Sequence, residues 1–244
     1  MGITMALSEN LVELLVDKYI KKGNVLSFGT SEMAEIFLKK VALKAEQENL
    51  SFSVVPTSAK MAGMLTELGL EVVSLNDVEI DVAVEFVDQA DNFFNFIKRD
   101  SHSLVRDKMI AQSAAELIII AERKNLVARL HGKIPFEIAI FGWKRTVAQL
   151  EKLGRANIVL RDGKPAKTES NNYLAEVLVD RIYSLEDLEF QAKEIPGVLE
   201  TGLFIGYADR MLLHNGHIEV KSRLDYTKQS KEAEVLGEKG FFTI

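Results

Sequence analysis

Apolar residues recur at helical spacing over residues 8–22, where Leu11, Leu14, Leu15, Val16 and Tyr19 gather near one face and Gly23 stops the run. The pattern then switches. Val25 to Phe28 reads as a short buried strand ending at Gly29, and residues 32–48 as a second helix with Ala34, Phe37, Leu38 and Val41 on its apolar face. Strand, helix and strand follow at 52–55, 59–68 and 71–75, and Asp81 to Val87 is a further strand with apolar residues on alternate positions. A helix after Asp107 leads into Leu117-Ile118-Ile119-Ile120-Ala121, the all-apolar run of a central parallel strand. Strands spaced by helices of this length require crossovers, so the pattern predicts an α/β fold with a mostly parallel sheet.

The rhythm changes after residue 134. Residues 136–140 read as strand, 144–153 as helix and 156–160 as strand, with a turn at Arg161-Asp162-Gly163-Lys164. Strand at 173–179, helix at 185–195 and strand at 202–205 complete a β-α-β-β-α-β order, a split βαβ unit that marks a second, smaller α+β domain. The expected division is a large domain of 1–134 and 206–244 interrupted by a small one of 135–205. Met211 to Val220 reads as a hairpin around Asn215-Gly216.

Composition narrows the class. A chain of 244 residues, 47% hydrophobic, can bury roughly 70% of its unfolded surface and needs no cross-links to hold a core. It has no Cys, which excludes disulfide scaffolds, thiolate zinc sites, iron–sulfur clusters and cysteine nucleophiles. The formal charge of −6 argues against a protein built to hold nucleic acid. The apolar run at 117–121 is too short to span a bilayer. The first twenty residues carry acids and no basic n-region, and Ala6 stands where a myristoylation motif wants Ser or Thr, so the expectation is a cytoplasmic protein.

Four polar features fall at or after strand ends, where open α/β sheets place their sites. Gly29-Thr30-Ser31 opens a helix and suits either an anion or plain hydroxyl capping. Asp88 and Asp91 stand three apart after an apolar strand, suited to sugar hydroxyls or proton transfer, or else simply solvated loop acids. Lys98 and Asp107 bracket Arg99, Asp100, Ser101 and His102, and a cation with a carboxylate suits proton abstraction beside a carbonyl. The plain alternative makes Asp107 a first-turn acid favoured by the helix dipole. Lys124 follows the buried strand and suits a phosphate. Thr57-Ser58-Ala59-Lys60 is a second hydroxyl-rich helix entry, read as caps or as oxyanion contacts. His214 and His217 are explained by the hairpin tip, and Phe93, Phe94 and Phe96 by core packing or an interface.

Taken in order, VDQAD (87–91), IKR (97–99), LVRDKMIAQSA (104–114), IIIAERKNLV (118–127), GKIPFEI (132–138), AQLEKLG (148–154) and IPGVLETGLF (195–204) resemble type A ribose-5-phosphate isomerase across about residues 8–223. The resemblance implies a Rossmann-like, mostly parallel sheet domain with an inserted ferredoxin-like domain, and isomerisation of ribose 5-phosphate to ribulose 5-phosphate without metal or organic cofactor. It places the catalytic base on Asp107, one methylene shorter than the family's Glu. It places the enediolate-stabilising lysine on Lys98 and the hydroxyl-binding carboxylates on Asp88 and Asp91. Substrate contacts fall on Thr30, Ser31, Thr57, Ser58, Arg99, Ser101 and Lys124. Arg99, Asp100 and Ser101 replace three family glycines, and Glu32 enters the phosphate loop. The implied picture is therefore surviving chemistry with altered phosphate recognition, supplied by Arg99, His102 and Arg106. The alternatives are a phosphosugar- or nucleotide-binding protein without turnover, as in the effector domains of some repressors, and an isomerase of an unphosphorylated sugar. A homodimer or homotetramer is implied, with Phe93, Phe94, Phe241 and Phe242 as surface to bury.

Overall fold

The computed structural model describes residues 9–223. Helices and strands alternate through the first third as α1 (Glu9–Tyr19), β1 (Val25–Phe28), α2 (Glu32–Gln47), β2 (Ser53–Val55), α3 (Ala59–Glu67), β3 (Glu71–Val72) and β4 (Ile80–Phe86). A small hairpin of β5 (Gln89–Ala90) and β6 (Phe96–Ile97) follows, and α4 (Leu104–Ser113) runs straight into β7 (Ala114–Glu122). Next come β8 (Gly132–Ile138), α5 (Trp143–Leu150), β9 (Arg155–Ile158), the hairpin β10 (Leu160–Arg161) and β11 (Lys164–Pro165), β12 (Tyr173–Val179), α6 (Leu185–Lys193) and β13 (Val198–Thr201). The described chain closes with β14 (Leu203–Phe204), β15 (Arg210–His214) and β16 (Ile218–Ser222).

The main sheet has seven strands in the order β16-β15-β7-β4-β1-β2-β3, all parallel except β16. This is a Rossmann-like arrangement, in which the chain winds outward from β1 in one direction and then, from β4, in the other. The apolar helix faces read from the sequence cover one side: Leu11, Leu15, Phe37, Leu38 and Val41 pack on Leu26, Val54, Val84 and Ile118. Ile110 and Ala111 of α4, with Phe94, Phe96 and Phe204, cover Ala83, Ile119 and Met211 on the other side. Burial on both faces explains why β7 is an unbroken apolar run.

The second sheet is antiparallel, in the order β13-β8-β12-β9, and packs Ile134, Phe136, Ile138 and Val177 against Leu150 of α5 and Leu188 of α6. That is the ferredoxin-like order of a split βαβ unit. Its first strand starts at Gly132, and its last lies at 198–201 rather than 202–205. At Gly202 the chain leaves this sheet: its N–H donates to Pro135 O, its C=O accepts from Lys98 N, and Leu203–Phe204 pairs with β6. A Cβ on Gly202 would overlap Pro135 and the Lys98 carbonyl, so glycine permits this crossing.

Two further readings change. β3 is only two exposed residues at the sheet edge, because Val73 and Leu75 turn inward to the core under α4. Phe94 is buried while Phe93 is 65% exposed: the tight turn at 91–95 holds Phe94 at φ +66° and swings its ring inward. The Asn215-Gly216 turn closes β15 and β16 as the sequence indicates, with Gly216 at φ +73°. Phe241, Phe242 and the rest of the C-terminal segment lie outside the described residues. No helix among the described residues is long and apolar enough to cross a membrane.

Candidate active site

The crevice lies where the winding direction reverses, between the C-terminal ends of β1 and β4. Gly29 follows β1, and Thr30 comes next with its side chain buried. Thr30 N donates to Asp107 Oδ1 at 2.7 Å and Thr30 Oγ1 to Asp107 Oδ2 at 2.8 Å. Ser101 Oγ donates to the same Oδ2 at 2.7 Å, and Lys98 Nζ lies 2.8 Å from it. Asp107 reaches this point from the first turn of α4, whose N-cap Ser103 accepts from Arg106 N. Lys98, Ser101, Thr30 and Asp107, assigned separately from the sequence, therefore form one buried constellation.

A fifth member was invisible in that reading. Glu85, in β4, also contacts Lys98 Nζ; neither side chain of that pair is exposed. Burial pushes the Glu85 carboxyl up to about 8, opposed by the charge of Lys98 and helped by that of Asp107. Burial alone would push Lys98 down, but the two carboxylates outweigh it and hold its ammonium above the usual lysine range. Lys98 is a cation at every physiological pH. The available signal was an acid in mid-strand, flanked by Val84 and Phe86 in a sheet buried on both faces.

A second buried acid has the same signature. Glu137, between Phe136 and Ile138 of β8, accepts from Ser103 Oγ at 3.1 Å and Val105 N at 3.0 Å through Oε2. Its Oε1 accepts from Thr168 Oγ1 at 2.7 Å and Asn172 Nδ2 at 2.9 Å. Glu137 thus ties the small sheet to the helix turn that carries Asp107, and its negative charge meets the positive end of α4.

The other sequence candidates are placed around this centre. Asp88 accepts from Arg99 N at 2.5 Å and Asp100 N at 3.3 Å, which fixes the loop leading from Lys98. Asp91 spends both oxygens inside its own turn, on Phe93 N, Asn95 N and Asn95 Nδ2. Ser31 and Ser58 are N-caps, their hydroxyl oxygens accepting from Ala34 N and Met61 N. Thr57 Oγ1 donates to Phe28 O. Lys124 is not brought to the centre; it is exposed and paired with Glu122 at 2.6 Å.

Comparison with known proteins decides the family. The model of ribose 5-phosphate isomerase A (phosphoriboisomerase A) matches residues 53–217. A ribose-5-phosphate isomerase A of Synechococcus sp. (strain JA-3-3Ab) is 34% identical over 200 residues, 80% of this chain and 87% of the relative. One of Bacillus mycoides (strain KBAB4) is 31% identical over 199 residues, 80% and 90% respectively. The chain belongs to the ribose-5-phosphate isomerase A family. In fold it is similar to a ribose 5-phosphate isomerase structure from Plasmodium falciparum, with a TM-score of 0.83, 24% identity and coverage of 91% of this chain and 99% of that one.

Among ribose-5-phosphate isomerases A, the sequence departures of this chain now have a geometry. Arg99 does not fill the crevice: its Nε and Nη2 donate outward to Lys133 O and His131 O, both at 2.8 Å. Asp100 is exposed, and Ser101 turns inward to Asp107. Of Arg99, His102 and Arg106, Arg106 lines a cleft of about 630 Å³ beside the centre, with Val55, Thr57, Leu75 and Ser170. Its guanidinium donates to Thr57 O at 2.8 Å and Glu169 O at 2.7 Å. Glu32 is exposed at the start of α2, and the acid beside it on the helix, Glu35, pairs with Lys60 at 2.5 Å.

Proposed function

We propose that this chain interconverts ribose 5-phosphate and ribulose 5-phosphate through an enediolate, with Asp107 as the single base. The observation that carries the reading is the Asp107–Lys98 pair at 2.8 Å, held by Thr30 and Ser101 at the switch point of the sheet. Asp107 takes a proton from C2 of the open-chain aldose and returns it to C1, while the proton on O2 passes to O1, so that the carbonyl moves from C1 to C2. Among the described residues three donors meet on Oδ2 but only Thr30 N on Oδ1, so Oδ1 keeps a lone pair for the C2 proton. Lys98 stabilises the enediolate oxygens, where negative charge develops in a water-poor site.

The hydroxyls of Thr30 and Ser101 lie 3.2 Å apart and can turn from Asp107 toward each other or toward sugar oxygens. Asp88 keeps the Lys98 loop in place and offers acceptors for a sugar hydroxyl, while Asp91 shapes the turn before it. The phosphate falls to Arg106 and the cleft it lines, of a volume ordinary for small ligands. The active unit is read as residues 1–134 and 206–244, with 135–205 inserted to brace α4 through Glu137. A charged sugar phosphate stays in the compartment that makes it, and we place the enzyme there, in the cytoplasm. A homodimer or homotetramer would bury Phe93, Phe141 and Phe190, all exposed in the single chain.

The test is conversion of ribose 5-phosphate by purified protein, followed as ketose formed. Conversion supports the reading. Tight binding of ribose 5-phosphate with no ketose formed would favour the non-catalytic alternative, and turnover of free ribose alone would favour the unphosphorylated one.

A further inference from the structure

The cleft that Arg106 lines is larger and more apolar than a phosphate alone requires. At about 630 Å³ it has the size of a cleft that buries a drug-sized ligand, and a phosphate fills a small part of it. Val55, Val72, Val73, Leu75, Val105 and Met109 make most of its wall. Val72, on the edge strand β3, and Met109, on α4, are exposed, so apolar surface faces an open space there rather than the core.

Charge points the same way. Among the described residues that line the cleft, Arg106 is the only charged one. Its guanidinium already donates to Thr57 O and Glu169 O, and its Nη1 lies 3.7 Å from the Glu169 carboxylate, which screens part of its charge. A phosphomonoester is close to a dianion at neutral pH, whereas a phosphodiester carries one negative charge. The helix entry after Thr30 adds acids rather than a cation: α2 carries Glu32 and Glu35 in its first turn, and Lys60 pairs with Glu35. The cleft also shares its walls with the reaction centre. Arg106 precedes Asp107 on α4, and Ser170 lies 3.1 Å from Ser103, the N-cap of that helix.

We propose that the cleft is a subsite for an apolar group esterified to the 5-phosphate, so that the chain isomerises ribose 5-phosphodiesters as well as the monoester. The inference rests on the isomerase reading. Arg106 meets the single charge of the diester, and the ester group lies against Val72, Leu75 and Met109. The reaction itself is unchanged: the C2 proton goes to C1, the O2 proton goes to O1, and no bond to phosphorus breaks.

The test compares ketose formation by the purified chain from ribose 5-phosphate, ribose 5-(methyl phosphate) and ribose 5-(phenyl phosphate). The two diesters carry the same charge and differ in the apolar group alone. The phenyl ester should have a kcat/KM about tenfold above that of the methyl ester. Met109→Gln combined with Val72→Thr replaces two exposed apolar side chains by neutral polar ones, at positions where substitution seldom disturbs a fold. This double variant should cut the phenyl-to-methyl ratio to about threefold or less, and a ratio within one preparation does not depend on how much of it is folded. Equal use of the two diesters, a ratio unchanged in the double variant, or conversion of ribose 5-phosphate with neither diester converted overturns the subsite and leaves the isomerase reading in place. A chain that converts none of the three overturns the isomerase reading and the subsite with it.

Discussion

Replacing Glu137 with Leu removes the acceptor that joins the small sheet to α4. Four donors lose their partner: Ser103 Oγ, Val105 N, Thr168 Oγ1 and Asn172 Nδ2. Two have another outlet, since Ser103 Oγ lies 3.1 Å from Ser170 Oγ and Asn172 is half-buried and can turn to water. The Val105 N–H belongs to the first turn of a helix and finds no acceptor within it, and the Thr168 hydroxyl is buried. Each such stranded donor costs about 1–3 kcal/mol, so after a partial return from the buried Leu the variant should lose about 2–5 kcal/mol. Glu137→Gln should lose only about 1 kcal/mol, the difference between charged and neutral acceptors, because its amide oxygen can face Ser103 and Val105 while Thr168 and Asn172 turn to accept. Urea denaturation followed by circular dichroism, at equal m, reads both values. A Glu137→Leu variant within about 0.5 kcal/mol of wild type would refute the idea that this carboxylate braces the catalytic helix.

Gly29→Ala places a methyl on the tips of Glu85 and Lys98; flexible tips can move, so kcat should drop about tenfold or more with a stability loss of no more than about 2 kcal/mol, and unchanged kcat would count against the Lys98 placement. Arg106→Met should raise KM for ribose 5-phosphate about tenfold and leave turnover of unphosphorylated ribose unaffected; equal effects on both would remove Arg106 from phosphate recognition. Glu85 should also leave a mark on stability. Its folded carboxyl keeps a proton to about 8, against 4.5 in the unfolded chain, so its contribution is most favourable below that lower value and is lost as pH rises toward about 8. The steepest loss is about 1.4 kcal/mol per pH unit, and the stability of Glu85→Gln relative to wild type should climb through this window and level off above it. A difference independent of pH, measured by urea denaturation, would contradict the assignment.

Period and burial made most of the architecture legible, because β7 and the faces of α1 and α2 carry patterns that only one arrangement buries. The hairpin of β5 and β6 escaped, and the strand expected at 202–205 was assigned to the small sheet when its residues 203–204 pair with β6, because these two-residue pairings are set by tertiary contacts around Gly202 rather than by local preference. In the site, Lys98, Asp107, Thr30 and Ser101 could be assigned as separate features by residue type and the family resemblance; their meeting on one carboxylate is a product of the fold. Ser31 and Ser58 took the capping role that their position before a helix also allowed. Glu85 and Glu137 were hidden by their strands, where a single acid among apolar residues looks like ordinary alternation until both faces of the sheet are known to be buried.

The central claim is that Asp107 moves the proton between C2 and C1. Conversion of ribose 5-phosphate to ribulose 5-phosphate by wild type and by Asp107→Asn tests it directly. Asn keeps the shape and most of the contacts with Thr30 and Ser101 but cannot take up a proton, so the account predicts clear turnover in wild type and a loss of about a thousandfold or more in kcat for the variant. An Asp107→Asn variant as active as wild type would contradict it.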